Sequence, residues 1–78
     1  MYTVYVIKGI SGHVYIGQTN NLEKRLHQHN SGYGKYTQNK GPFTVIYFEQ
    51  YNTRVEAMRR ERELKTGKGR EWLGEITK

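Results

Sequence analysis

The sequence predicts an α+β fold, a small three-stranded antiparallel sheet packed with helices in the order ββαβαα. Three observations lead there. Residues 2–7 and 13–19 alternate with the two-residue period of strands. Residues 20–30 and 53–66 repeat apolar side chains at helical spacing. Between them lies a nearly continuous apolar and aromatic run, Val45-Ile46-Tyr47-Phe48.

In the first run Tyr2, Val4 and Val6 share one face, while Thr3, Tyr5 and Ile7 share the other. Gly9-Ile10-Ser11-Gly12 reads as a turn, and the strand resumes at His13 with Val14 and Ile16 facing opposite to Tyr15 and Gly17, so a hairpin is expected. An even pairing register, such as one setting Tyr5 against Gly17 and Ile7 against Tyr15, puts both phenols on one face, and an odd register separates them. Asn20 or Asn21 caps a helix that carries Leu22, Leu26 and His29 on one stripe, with Arg25 beside it, and closes at Asn30-Ser31-Gly32. Residues 31–42 read as a loop bearing Tyr33, Lys35, Tyr36 and Lys40. Phe43–Tyr51 reads as a strand buried on both faces, as a central strand would be. Thr53 and Glu56 form a capping box for a helix reaching about Thr66. Gly67 and Gly69 are expected to end it, before a short amphipathic helix from Arg70 to Ile76 that offers Trp72, Leu73 and Ile76 to the core.

Length and composition set outer limits. Seventy-eight residues make one domain, read as 1–78, with a core too small to waste. Without cysteine, neither disulfides nor thiolate-bound zinc can reinforce it, so packing, capping and hydrogen bonding must. There is no run of about 18 apolar residues and no basic leader before an apolar stretch, which predicts a soluble, cytoplasmic protein with no membrane partner. Thirteen Lys and Arg against seven acids leave a net charge of +6, a field that attracts polyanions and makes nucleic acid the expected partner. All seven acids are glutamates. A hard divalent cation would therefore be held by few carboxylates and completed by water and substrate phosphate.

Several polar residues fall where periodicity would otherwise place apolar ones. Glu61 has Ala57, Met58 and Leu64 as helical neighbours, which sets it on the inward stripe. The alternative is a boundary glutamate paired with Lys65, an arrangement worth about 0.2–0.5 kcal/mol. Arg25 and His29 lie one helical turn apart and put a fixed cation beside a titratable imidazole, although a solvated surface pair has the same spacing. His27 lies on another face, so it cannot join His29 in chelation, and His13 has no evident partner. Glu56 is accounted for by its cap, and Glu63 points away from the inward stripe. Tyr5 and Tyr15 stand out from the seven tyrosines only in context, since sheet packing explains any one of them.

That context resembles a known family. Thr3-Val4-Tyr5, then Tyr15-Ile16-Gly17, then Arg25 with His29 a turn later, and Glu61 at the end of Glu56-Ala57-Met58-Arg59-Arg60-Glu61 look like the GIY-YIG nuclease domain, over nearly the whole chain. The likeness is to its small single-domain bacterial members. Carried over residue by residue, it implies that Tyr5 and Tyr15 are the motif tyrosines, Arg25 the helix arginine and Glu61 the carboxylate that holds Mg²⁺ or Mn²⁺, with His29 matching a histidine of part of the family. Thr3 stands where the first motif has glycine, and no asparagine follows Glu61.

The expected activity is metal-dependent endonucleolytic hydrolysis of phosphodiester bonds in DNA, structure-selective and related to repair, with Tyr5, Tyr15, Arg25, His29 and Glu61 catalytic. The rival expectation is a nucleic-acid-binding module of the same fold with weak or absent turnover. A third is an interaction domain for an acidic protein partner. Oligomeric state is left open by the sequence.

Overall fold

A computed structural model of the chain describes residues 1–31 and 42–77. The elements occur in the expected order: β1 (Tyr2–Gly9), β2 (Val14–Thr19), α1 (Leu22–Asn30), β3 (Phe43–Tyr51), α2 (Arg54–Leu64) and α3 (Gly67–Ile76). The expected loop, with its Tyr33, Lys35, Tyr36 and Lys40, lies outside the described residues except for its two ends. No helix among the described residues is long and apolar enough to cross a membrane.

The β1–β2 hairpin turns at Gly12, whose φ of 93° suits a residue without a Cβ. Its amide donates to the Gly9 carbonyl at 2.9 Å, and the Gly9 amide donates to the His13 carbonyl at 2.8 Å. This closure fixes the register with Tyr5 opposite Gly17 and Ile7 opposite Tyr15. The even register is therefore the one adopted, and both phenols stand on one face. His13 does have a partner: its Nδ1 lies 2.7 Å from the Ser11 hydroxyl.

All pairings are antiparallel, in the order β2-β1-β3. The centre of the sheet is thus β1, not β3 as the apolar run suggested, and Thr3 to Ile7 are buried without interruption. A bulge explains the misleading run on β3. Val6 opposes Tyr47 but Ile7 opposes Val45, so Ile46 is the extra residue, and it turns with Tyr47 to one face while Val45 serves the other. Val45 joins Tyr5, Ile7 and Phe43 under Leu22 and Leu26 of α1. Ile46 and Tyr47 join Val4 and Val6 beneath Ala57, Leu64 and Leu73 of α2 and α3. The sheet is covered by one helix on one face and two on the other.

The C-terminal helices pack closely at their junction. α2 ends at Leu64, two residues earlier than periodicity indicated, with Lys65 as its cap, and Thr66 caps the next helix: its hydroxyl accepts from the Gly69 amide at 3.1 Å and donates to the Glu63 carbonyl at 2.6 Å. Gly67 and Gly69, expected as terminators, are the first turn of α3. Gly69 is needed there because a Cβ would fall on the Glu63 carbonyl oxygen and 2.6 Å from the Leu64 Cα. Leu73 reaches the core as expected, but Ile76 is 45% exposed. Trp72 is a lid, standing edge-on to Tyr47 at 5.6 Å with the Arg60 guanidinium 5.0 Å from its ring centre.

Arg60 also clamps Glu49 of β3, donating from Nε at 2.8 Å and from Nη2 at 3.0 Å. The hydroxyls of Tyr47 and Tyr51 donate to the same carboxylate. Burial works to raise the Glu49 pKa, yet the hydrogen bonds from Arg60 and the two tyrosines prevail and hold it below the ordinary carboxylate value. Burial, with the bond to Glu49, pushes the Tyr51 phenol up to about 12. This brace ties β3, α2 and α3 together through charge that is fully compensated.

The two α3 glycines should respond in opposite ways to alanine. Gly69→Ala forces α3 away from α2 and should cost about 1–3 kcal/mol, as overpacking does. Gly74 has open space around its Cα. Gly74→Ala should gain roughly 0.5–1 kcal/mol from helix propensity. Urea titrations followed by circular dichroism read both.

Candidate active site

Tyr5 is only 3% exposed, on the face of β1 that α1 covers. Its ring lies across Gly17 of β2. A Cβ at that position would fall on the phenol oxygen and 2.7 Å from Cζ, so glycine is the residue that lets the ring lie there. The phenol oxygen then sits beneath α1, 3.1 Å from His29 Nε2, and accepts from Arg25 Nε at 3.4 Å. Helical spacing brings Arg25 and His29 to this one oxygen, because residues four apart project side by side.

Arginine only donates, so the phenol oxygen accepts from Arg25, while the bond to His29 runs from the phenol to an unprotonated Nε2 or from a protonated Nε2 to the phenol, according to the tautomer of the ring. Burial, and secondarily the positive charge of Arg25, hold the His29 pKa below its ordinary value of 6.5 and keep the ring neutral near pH 7. The outer part of Arg25 is exposed, and its Nη1 donates to Gln28 Oε1 at 3.4 Å. One end of the guanidinium is thus anchored in the protein while the other faces solvent.

Tyr15 occupies the same face, half-buried, with its ring edge-on to Phe43 at 5.5 Å. Phe43 also meets the His29 ring at 6.1 Å. Phe43 is held in turn by Asn30, whose Oδ1 accepts from the Phe43 amide at 2.6 Å and whose Nδ2 donates to the Phe43 carbonyl at 3.3 Å. This side-chain amide pairs with the first backbone unit of β3 and ties it to the end of α1. The sequence marks Asn30 only as a helix terminator. Its clasp depends on a neighbour 13 residues away.

Glu61 stands on α2, whose Ala57 and Leu64 pack on the face of the sheet opposite Tyr5, and it makes no described hydrogen bond to the other four. Its side chain is 24% exposed and pairs with Lys65 Nζ at 2.8 Å. Both readings of its spacing are partly realised: the residue is half-buried beside Ala57 and Leu64, and it is also the i,i+4 partner of Lys65. The other carboxylates nearby are committed, Glu49 to Arg60, Glu63 to Arg60 and Glu56 to the Thr53 cap. Among the described residues no group of three or more His, Asp or Glu could hold a metal. Glu61 fits a hydrated hard cation held by one carboxylate, because its only described partner is a flexible surface ammonium.

Residues 1–72 match the family model described as the GIY-YIG catalytic domain. The chain belongs to the GIY-YIG family. It is 44% identical over 64 residues to a UPF0213 protein of Staphylococcus haemolyticus, covering 81% of this chain and 78% of that one. A UPF0213 protein of Clostridium perfringens is 48% identical over 59 residues, covering 74% of this chain and 63% of that one. The solution NMR structure of a UPF0213 protein from Bacillus halodurans superposes with a TM-score of 0.59 at 34% identity, covering 97% of this chain and 85% of that chain. GIY-YIG is a nuclease family, and its two motifs have a direct physical reading here. The Tyr-Ile-Gly run supplies Gly17, the seat for the tyrosine of the first motif. Thr3, in place of the first-motif glycine, is an ordinary buried strand residue opposite Thr19 and Gln50.

The histidine provides a titration test. By ¹H–¹⁵N NMR, His29 should titrate below 6.5, and Arg25→Ala should raise its pKa part of the way back, since burial remains. The folded pKa is depressed, so stability should fall as pH drops from about 6.5 towards that lower value. An Arg25→Ala variant with an unchanged His29 titration would remove the electrostatic coupling between them.

Proposed function

We propose that this protein is a metal-dependent endonuclease that hydrolyses phosphodiester bonds in DNA. The observation that carries this reading is the shared phenol oxygen of Tyr5, which holds an exposed arginine and a neutral imidazole together on a strongly basic domain of a nuclease family. Arg25 presents its outer N–H groups to the non-bridging oxygens of the scissile phosphate, where charge builds in the transition state. Tyr5 is a positioning residue that fixes the guanidinium from behind. Tyr15 takes the proton of the attacking water. A free phenol titrates near 10, so this base needs a nearby cation or an onward proton acceptor to work near neutral pH. Glu61 is the residue that would hold Mg²⁺ or Mn²⁺. When bound, such an ion polarises the phosphoryl group and stabilises the departing 3′-oxygen.

A second reading, a DNA-binding module with attenuated turnover, is favoured by one observation. Glu61 is engaged by Lys65 and has no described bond to the Tyr5 cluster. Cleavage of linear, flapped and branched DNA with Mg²⁺, Mn²⁺ or chelator separates the two readings and reports any structural preference. Glu61→Gln should abolish metal-stimulated cutting, and Arg25→Ala should slow it by about 10²–10³-fold with the circular dichroism spectrum retained. Undiminished cutting by Glu61→Gln would refute the metal assignment. Salt-sensitive binding with no cutting of any substrate would favour the binding module.

A further inference from the structure

The exposed side of Arg25 opens onto a polar hollow between the end of β2 and the first half of α1. Gln18, Thr19 and Asn20 form one wall, and Asn21, Lys24 and Gln28 form the other. The second wall follows from the helix period, because positions 21, 24 and 28 make one stripe and Arg25 borders it. The hollow is therefore continuous with the guanidinium that the Tyr5 hydroxyl anchors.

Two features distinguish it from the charged recess beside α2. The recess lined by Arg59 and Arg60 also contains Glu49, Glu56 and Glu63, and Arg60 is paired with two of these. No carboxylate lines the hollow at α1, so the charges of Lys24 and Arg25 are uncompensated there. Its donors are also uncommitted. Among the described residues nothing accepts from Lys24 Nζ, from the side-chain amides of Gln18 and Asn20, or from Asn21 Nδ2, whose partner oxygen is used in the cap on the Lys24 amide. A site with two cations, several amide N–H groups and no anion is built for an oxyanion that carries full charge.

We infer that this hollow binds a second backbone phosphate of the nucleic acid, next to the one presented to Arg25, with Lys24 as its counter-charge and the Asn20, Asn21 and Gln28 amides as its orienting donors. The inference deepens the nuclease reading and rests on it for the identity of the strand. It gives α1 two functions on adjacent stripes. Leu22, Leu26, Arg25 and His29 build the reacting end, and Asn21, Lys24 and Gln28 set the register of the strand that enters it. Phosphate contacts of this kind position a substrate without reading its sequence.

The test measures binding apart from cutting. Affinity for a fluorescein-labelled DNA duplex and for a branched DNA is measured by anisotropy in EDTA across 50–200 mM salt, for wild type, Lys24→Ala, Lys24→Glu and, on the other face, Lys8→Ala. Lys24→Ala should reduce the slope of log K against log salt by about 0.9, as expected for one lost phosphate contact. Over that salt range wild type should then lose about 3.5-fold more affinity than the variant. Lys24→Glu should bind more weakly than Lys24→Ala, and Lys8→Ala should match wild type. Circular dichroism checks folding, which the exposed Lys24 side chain does not support. A Lys24→Ala slope equal to that of wild type overturns the inference, even if the protein cuts DNA. A Lys24-dependent slope in a protein that cuts nothing supports the subsite while the hydrolytic reading fails. Absence of DNA binding by wild type overturns both.

Discussion

A buried hydroxyl on the sheet meets two polar side chains of α1 at one point. Tyr5 lies on the central strand and is almost fully buried, and its oxygen serves both Arg25 and His29. The arrangement depends on the hairpin register and on Gly17. A slip of one residue would turn the phenol to the other face, and any side chain opposite it would occupy the space of its ring. Removing the hydroxyl would leave Arg25 held only by Gln28 at the surface, and an arginine there samples many rotamers. The structure thereby supplies preorganisation to the exposed Arg25 guanidinium.

Two cationic clusters of the molecule differ in their surroundings. On the α2–α3 face, Arg60 meets Glu49 and Glu63 beneath Trp72, and its bonds are fully used in holding three elements together. On the α1 face, Lys24 and Arg25 stand among amides with no carboxylate lining the hollow. A net charge of +6 spread evenly would give weak, undirected attraction to a polyanion. Lys24 and Arg25 concentrate part of that charge beside the Tyr5 cluster.

Much of this architecture is legible in the sequence because it depends on local periodicity and capping. Asn21 and Thr53 cap their helices as their residue types and positions predict, and Arg25 and His29 project together as their spacing requires. The even hairpin register is one of two options, and only the folded turn at Gly12 decides between them. The remainder involves partners distant in sequence or neighbours that composition disguises. Glu49 and Arg60 meet across 11 residues, and neither lies in a recognisable motif. The β3 run reads as doubly buried because Val45 serves one core cluster while a bulge turns Ile46 and Tyr47 together to the other, on an edge strand. Gly67 and Gly69 have the composition of a helix end, but close packing against α2 makes Gly69 part of a helix start. The place of Glu61 relative to the phenols is likewise a matter of tertiary approach, which helical spacing does not encode.

The hydrogen bonds that converge on the Tyr5 oxygen are observed most directly by nitrogen NMR. In the wild-type protein the Arg25 Nε–H should exchange slowly with water, and the His29 Nε2 shift should be that of a hydrogen-bonded ring nitrogen. Tyr5→Phe removes the hydroxyl and little else. In a folded Tyr5→Phe variant the Arg25 Nε–H should become fast-exchanging, and the His29 Nε2 resonance should move. If both signals stay where they are in the wild type, the Tyr5 hydroxyl does not hold Arg25 and His29 in place, and the site is organised by some other contact.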